Sequence, residues 1–565
     1  MRPKTKSAAF VLLLLAGAVF GGEGDALDTL VTRFYQPGEK GKAPLQGMSR
    51  GAYAARLQRA KDFLQELQTR IDYDQLDIAG QVDYDYFRAQ LDNSILMLEV
   101  LRRWEKDPSM YFPFDAFFEP LLDEGRPWEE RFEQMVKGME ESIVQFQWGK
   151  ENLKDPPLIW TEQAIRHCDG IMRYFRQSVP KLLERAPSPS LKERLSAASE
   201  NYQKRLIDYK FFLETDLKPR STGPFAIGEE NYNRMLEDYF LDYAVDELID
   251  LGKRLYDENV ALMERVAAQI DPDKTWQELL QENMMDHSAP WELYTTLSRE
   301  AARAREIVYT KLVNVPEGIT EEYRYVEAGH WATLPRGASG IGPFVFTGDA
   351  HVGYYALPSI DFYDSFERKN ELMLDWSRAW FIAQQIPHEV YPGHHFQVFM
   401  ASHNKRPARR LAGASPFTDV SASFSEGYAV YSEEVMYELG YLQNDPRLYL
   451  AHLAHRHWRI ARVSIDPLVH ARGMTYDEAH EFFMDAGLTE GQAHVETTQI
   501  TRMPVHDVAY YVGKLEVKDL LGEYRELAGD DFDYKRFHTE LMLLGGTPVK
   551  LAKKEMLAKF GAGTN

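Results

Sequence analysis

The sequence predicts a mostly α protein, a large helical fold carrying a small β element. Apolar residues recur at helical spacing through most of the chain, while glycine and aromatic residues alternate in one short region. The composition, 565 residues with 44% hydrophobic and 27% charged, suits a large folded body and excludes both disorder and a polytopic membrane protein.

In chain order, Arg2, Lys4 and Lys6 precede an apolar run from Ala8 to Phe20, and small residues follow it. This is the layout of a secretory signal over residues 1–21, too short to cross a bilayer comfortably. No cysteine stands near the cleavage region to take a lipid, so the mature chain is expected to be periplasmic or secreted, without an integral membrane span. Leu57, Ala60, Leu64, Leu67 and Ile71 then form one stripe of an amphipathic helix. Leu251, Leu255, Leu262, Val266 and Ile270 repeat the signal. Between these helices, the Pro/Gly-rich stretch Lys218 to Pro224 predicts a boundary near residue 220, dividing the mature chain into 22–220 and 221–565. From Gly329 to Asp361 the pattern changes to Gly340-Ile341-Gly342-Pro343-Phe344-Val345-Phe346 and Val352-Gly353-Tyr354-Tyr355-Ala356, which reads as short strands joined by turns. Phe424, Tyr428, Tyr431 and Val435 mark one face of a later helix that also carries Glu426.

Charge and cysteine content narrow the function. A formal charge of −22 disfavours nucleic acid, whose phosphates need Lys and Arg. The single cysteine, Cys168, permits neither an internal disulfide nor a thiolate zinc site, and reads as a small buried apolar group. No nucleophile-elbow Gly-x-Ser-x-Gly and no phosphate-cradling Gly-x-x-x-x-Gly-Lys is present.

The richest chemistry lies in Pro387-His388-Glu389-Val390-Tyr391-Pro392-Gly393-His394-His395-Phe396-Gln397. A His-Glu pair followed by further histidines suits a zinc hydrolase, in which imidazoles hold the ion and the carboxylate activates its water. Zinc helices usually place their two histidines four residues apart, whereas here Pro392 intervenes and the next histidines stand at 394 and 395. Six residues of straight helix rise about 9 Å, too far for His388 and His394 to share an ion at bond lengths of ~2 Å. Pro392 lacks the N–H that would bond the His388 carbonyl, so the helix must open there. A Pro-Gly bulge that absorbs two residues would return His394 to the place of a second ligand. His395 shares the face of His388 but stands about 10 Å along a straight helix, which makes it the weaker choice. The third ligand is expected from Glu426, beside Gly427, which would let another helix approach closely. Glu433 and Glu434, two turns further on, read as a solvated face.

These strings, His-Glu-x-x-Pro-Gly-His-His-x-Gln from His388 to Gln397, Glu-Gly-x-Ala-x-Tyr from Glu426 to Tyr431, and the Asp466…His470 pair, resemble the bacterial domain of unknown function 885. That helical family is similar by pattern to zinc peptidases such as angiotensin-converting enzyme and thimet oligopeptidase. The resemblance covers nearly all of the mature chain. It implies a mostly α metallopeptidase-like fold with a deep channel, Zn2+ on His388, His394 and Glu426, and Glu389 as the base. Residues 221–565 would then be the metal-binding catalytic subdomain. Family members usually carry Pro-Gly-Gln-Ala where this chain has Pro504-Val505-His506-Asp507, although Tyr510 and Gly513 are kept.

The expected activity is zinc-dependent hydrolysis of peptides or peptide-like amides. Glu389 would take a proton from the attacking water and return it to the leaving amine. Tyr510, with His506 second, would donate to the developing oxyanion, a contribution of about 3 kcal/mol. Arg462 and Arg502 are candidates for clamping a substrate carboxylate. The β segment around Tyr354 could pair with an extended peptide, and Asp466 and His470, four apart on a helix, could share a hydrogen bond. The alternative is a non-catalytic peptide- or cell-wall-binding helical protein that retains the family shape.

Overall fold

The computed structural model describes residues 22–35, 47–112, 120, 126–315, 322–328, 352–358, 366–374, 376–411 and 420–561. The leader read over residues 1–21 lies outside them. The described chain is mostly helical. Among the described residues, no helix is long and apolar enough to cross a membrane.

Helix α1 (Arg50–Arg70) begins where the Ser49 hydroxyl accepts from the Ala52 N–H at 3.1 Å, satisfying one of the first-turn donors. Ala60, Leu67 and Ile71 are buried as their spacing requires, Phe63 joins them, and Leu57 and Leu64 flank the stripe. Helix α2 (Ile78–Ile95), capped by Asp77 on Gly80 N–H, is buried on most of its surface. Its Val82, Tyr86 and Ala89 share a core with Val430, Ile460, Val508 and Leu551, so an early helix completes the packing of the chain's second half. A separate core has all its buried members within residues 111–217, including Phe132, Tyr174, Tyr202 and Leu217.

The Pro/Gly-rich stretch near residue 220 is packed down rather than free. Lys218–Arg220 makes one 3-10 turn, and Gly223 N–H donates to the Pro156 carbonyl at 3.2 Å. A Cβ on Gly223 would lie 2.1 Å from the Asp155 carbonyl oxygen, so only glycine fits that approach.

Helix α3 (Val245–Ile270) is rotated from the face its leucines suggest. Leu248, Gly252, Asn259, Met263 and Val266 are buried, whereas Leu251, Leu255, Leu262 and Ile270 are only half-buried. The cause is a close crossing: a Cβ on Gly252 would lie 2.7 Å from Ser464 N, so the helices meet at their smallest residues. Two short strands follow, β1 (Glu322–Ala328) and β2 (Val352–Pro358), paired in parallel with Glu322 opposite Val352. Strands joined by tight turns would run antiparallel; residues 329–351 separate this pair, enough chain for a parallel crossover. The rest of the glycine-aromatic region, residues 329–351 and 359–361, lies outside the described residues.

Six helices then assemble the chemistry-bearing residues: α4 (Phe381–Val390), α5 (His394–Ala401), α6 (Ala422–Glu438), α7 (Pro446–Arg472), α8 (Glu490–Arg502) and α9 (His506–Ala528). Helices α6 and α9 cross in backbone contact. A Cβ on Gly427 would lie 2.6 Å from the Gly513 backbone, and one on Gly513 would lie 2.1 Å from the Ser423 carbonyl oxygen. The crossing fixes the start of α6, and with it Glu426, against the turns of α9 that carry Tyr510.

Candidate metal centre

The segment that was expected to be one bulged helix is two helices. Helix α4 is wound with i→i+5 hydrogen bonds and ends where Tyr391 N–H reaches the Ile386 carbonyl at 3.0 Å; α5 starts afresh at His394. Proline at 392 stops the first helix, as its missing N–H requires. The return is tight: a Cβ on Gly393 would stand 1.7 Å from the His388 carbonyl oxygen, so the chain folds directly over that group. The His388 and His394 rings consequently come within 4.9 Å, centroid to centroid, at 89° to each other.

Glu426 meets both imidazoles. Its Oε2 lies 3.5 Å from His388 Nε2 and 3.3 Å from His394 Nε2, and one ligand atom from each of the three residues falls within 4.8 Å of the others. Ligands at bonds of ~2 Å and tetrahedral angles stand about 3.3 Å apart, so the two carboxylate–imidazole gaps match a shared ion. Glu426 Oε2 is buried and has no hydrogen bond of its own, and a His2Glu donor set is one that zinc hydrolases use. His395 is fully buried and packs edge-on against Tyr391 at 5.5 Å; it is not in this cluster.

The electrostatics favour positive charge between these groups. Burial pushes the His394 imidazole down, but the Glu426 carboxylate outweighs it and lifts the ring to about 9. His388 is likewise raised against the pull of burial, by Glu426 and Glu433. Burial raises Glu426, yet the two imidazoles hold its carboxyl well below the usual range.

Glu433 is not a solvated residue. It is 1% exposed, and His388 Nδ1 donates to its Oε1 at 2.8 Å. Arg459 Nη2 lies 3.4 Å from the same oxygen, and this cation holds the carboxyl down at about 2 although burial opposes it. A carboxylate can only accept, so His388 Nδ1 carries a proton, which leaves Nε2, the nitrogen facing Glu426, as the one that can bind a metal. Glu434 does not face open solvent either: it is largely buried and pairs with Lys514 and Lys518. The signal for Glu433 was its place seven residues after Glu426, two turns on along the same face of α6.

Glu389 is half-buried beside these histidines, with its negative charge acting on both of them. The Tyr510 ring lies parallel to the His388 ring, 6.4 Å away at 8°, and His506 packs edge-on against Tyr510 at 5.6 Å. Arg462 also lies over that ring at 4.9 Å, but its guanidinium is already engaged by Glu496 at 2.5 Å and Asp507 at 3.3 Å. Its visible work is to brace Tyr510. Tyr354 lies in β2 opposite Arg324, and nothing further of its side chain falls among the described residues.

Arg502 faces Asp107, with Nε 3.5 Å from its carboxylate, and lies over the Trp160 ring. Burial raises Asp107, but Arg502, Arg103 and Ser109 together hold it down at about 2, below the ordinary 3.8. A depressed carboxyl stabilises the fold above pH 4, and that contribution of about 2 kcal/mol is lost as pH falls toward 2. Asp107→Asn is therefore expected to lower stability by about 2 kcal/mol at pH 7. Urea unfolding should show the gap narrowing at pH 3; the same gap at both pH values would refute the pairing.

Asp466 and His470 do not bond to each other, because each is drawn to a different neighbour. Asp466 Oδ1 accepts from Tyr232 at 2.6 Å and from Val505 N–H at 3.0 Å, while His470 Nε2 donates to the Ile500 carbonyl at 2.8 Å. The Val505 N–H that reaches Asp466 lies in the altered Pro-Val-His-Asp run. Val505 has φ of +69°, a region a β-branched residue rarely occupies, and it is held there by Asp466 and by full burial of its side chain. Arg459, Arg462, Asp466 and His470 thus form one buried polar stripe of α7, bracing in turn Glu433, Tyr510, the turn before α9, and the end of α8.

No curated protein matches the chain. A candidate lipoprotein of unknown function from Shewanella oneidensis shares the fold, with a TM-score of 0.68 at 21% identity, over 94% of this chain and 98% of that one. A candidate lipoprotein from Colwellia psychrerythraea matches with a TM-score of 0.71 at 15% identity, over 96% and 100%. The model of the bacterial proteins of unknown function DUF885 matches residues 34–556, a span that takes in every helix of the candidate centre, and the chain belongs to this family.

Proposed function

We propose that this protein is a zinc-dependent hydrolase of peptides or peptide-like amides. The observation that carries the reading is the convergence of one ligand atom each from His388, His394 and Glu426 within 4.8 Å, with Glu426 Oε2 3.5 Å from His388 Nε2 and 3.3 Å from His394 Nε2. When bound there, zinc would make a water acidic near neutral pH and polarise a substrate carbonyl. His388, His394 and Glu426 hold the ion, and Glu433 fixes the proton on the far side of the His388 ring. Glu389 removes the proton from the attacking water and delivers it to the leaving nitrogen. The Tyr510 hydroxyl, its ring in contact with Arg462 and parallel to His388, donates to the oxygen on which negative charge develops. A metallopeptidase-like helical fold and a periplasmic or secreted location belong to the same proposal.

Metal analysis and product analysis together test it. The purified protein is expected to carry one zinc ion per chain and to cleave members of a peptide library, with loss of cleavage on adding a chelator and recovery on adding zinc. A protein that takes up no zinc, or cleaves equally well in excess chelator, sinks the hydrolase reading. Peptide binding without zinc and without cleavage would identify the non-catalytic alternative.

A further inference from the structure

Gln397 lies between the two halves of the centre and is 5% exposed. It stands three residues after His394 on α5, hence on the same face. Its Nε2 is 3.3 Å from the Phe424 carbonyl and 3.1 Å from the Ser425 carbonyl, in the turn of α6 that presents Glu426. Carbonyl oxygens only accept, so the amide nitrogen must face them, and the amide oxygen is left facing His394 Nδ1 at 3.1 Å. An acceptor there calls for a proton on Nδ1, which leaves Nε2, the atom 3.3 Å from Glu426, as the nitrogen that can bind a metal.

We propose that Gln397 is a positioning residue that sets two of the three metal ligands at once, orienting the ring of His394 and tying the first turn of α6 to it. This rests on the metal-centre reading above. One side chain serves both ends because an amide is the only group of this size with an acceptor and two donors. His388 has its own brace in Glu433, so loss of Gln397 loosens His394 and Glu426 while leaving His388 in place. The two imidazoles are thus braced differently, one by a carboxylate paired with Arg459 and the other by a neutral amide.

The test uses the full chain, with zinc affinity measured by competition against a chelator of known strength, and the visible spectrum of the Co2+-loaded protein. Gln397→Met keeps the volume and removes both hydrogen-bonding ends. It is expected to weaken zinc about 10–100-fold and to shift the cobalt bands, with thermal unfolding in excess chelator little changed. If that variant does not fold, Gln397→Glu, which keeps the acceptor but loses both donors, is expected to weaken zinc at least about tenfold. A folded variant with zinc affinity within about twofold of the parent overturns the proposal. So does a zinc loss matched by an equal loss of stability in chelator, which would be general damage. A parent protein that takes up no zinc fails the metal-centre reading itself, an outcome distinct from a variant that binds zinc as the parent does.

Discussion

Glu389→Gln is expected to reduce peptide cleavage about 10²–10⁴-fold while zinc content stays at the parent level. Glutamine has nearly the shape of glutamate, and residue 389 is not among the three ligand candidates, so the site keeps its form. What would be lost is the carboxylate proposed to accept a proton from water and pass it to the leaving group. Zinc content by elemental analysis and rates on the cleaved library peptides separate the two effects. A variant that cleaves at near the parent rate would show that Glu389 is not the base, and one that loses zinc would show that it holds the metal.

Gly513→Ala should be the most damaging small change in the fold. The added Cβ would lie 2.1 Å from the Ser423 carbonyl oxygen, a backbone atom that can move only if α6 and α9 separate. Overpacking of a tight contact commonly costs 1–3 kcal/mol, and here about 3 kcal/mol or failure to fold is expected. Because Glu426 lies in the next turn of α6, zinc affinity should fall with stability. Gly522→Ala provides the control on the same helix: its added Cβ meets no atom within 4 Å, and the change should stabilise by about 0.5–1 kcal/mol. Equal denaturation midpoints for the two variants would disprove the crossing.

Several parts of the molecule were readable without coordinates. The stripe through Ala60, Leu67 and Ile71 follows from helical spacing alone, because a residue that recurs every three or four positions shares one side of a helix whatever surrounds it. Pro392 ended its helix for a local reason, a missing N–H. The closeness of α6 and α9 was foreshadowed by Gly427, since the absence of a side chain is itself an invitation to contact. The buried face of α3 is not legible in the sequence, because two candidate stripes lie side by side on its surface and the close approach of Gly252 to Ser464 selects between them.

The centre divides in the same way. Its ligand types, and their place beside a helix-stopping Pro-Gly pair, are properties of residues 388–394 and 426 and could be read in order along the chain. Glu433 could not be distinguished from an ordinary surface acid, because burial depends on what α4 and α7 bring across to it. Arg462 and Arg502 carry the same guanidinium that would clamp a substrate, and only their neighbours Glu496, Asp507 and Asp107 reveal where that charge is spent.

The sequence alone thus determined the helical character, the candidate ligands and the point at which the helix must break, all of which depend on covalent structure and near neighbours. Tertiary structure decided which imidazoles reach Glu426, which neighbour each ring nitrogen meets, and which charges are already paired. Those depend on distances between segments that are remote in sequence, and a hydrogen bond or an ion pair exists only once packing has set that distance.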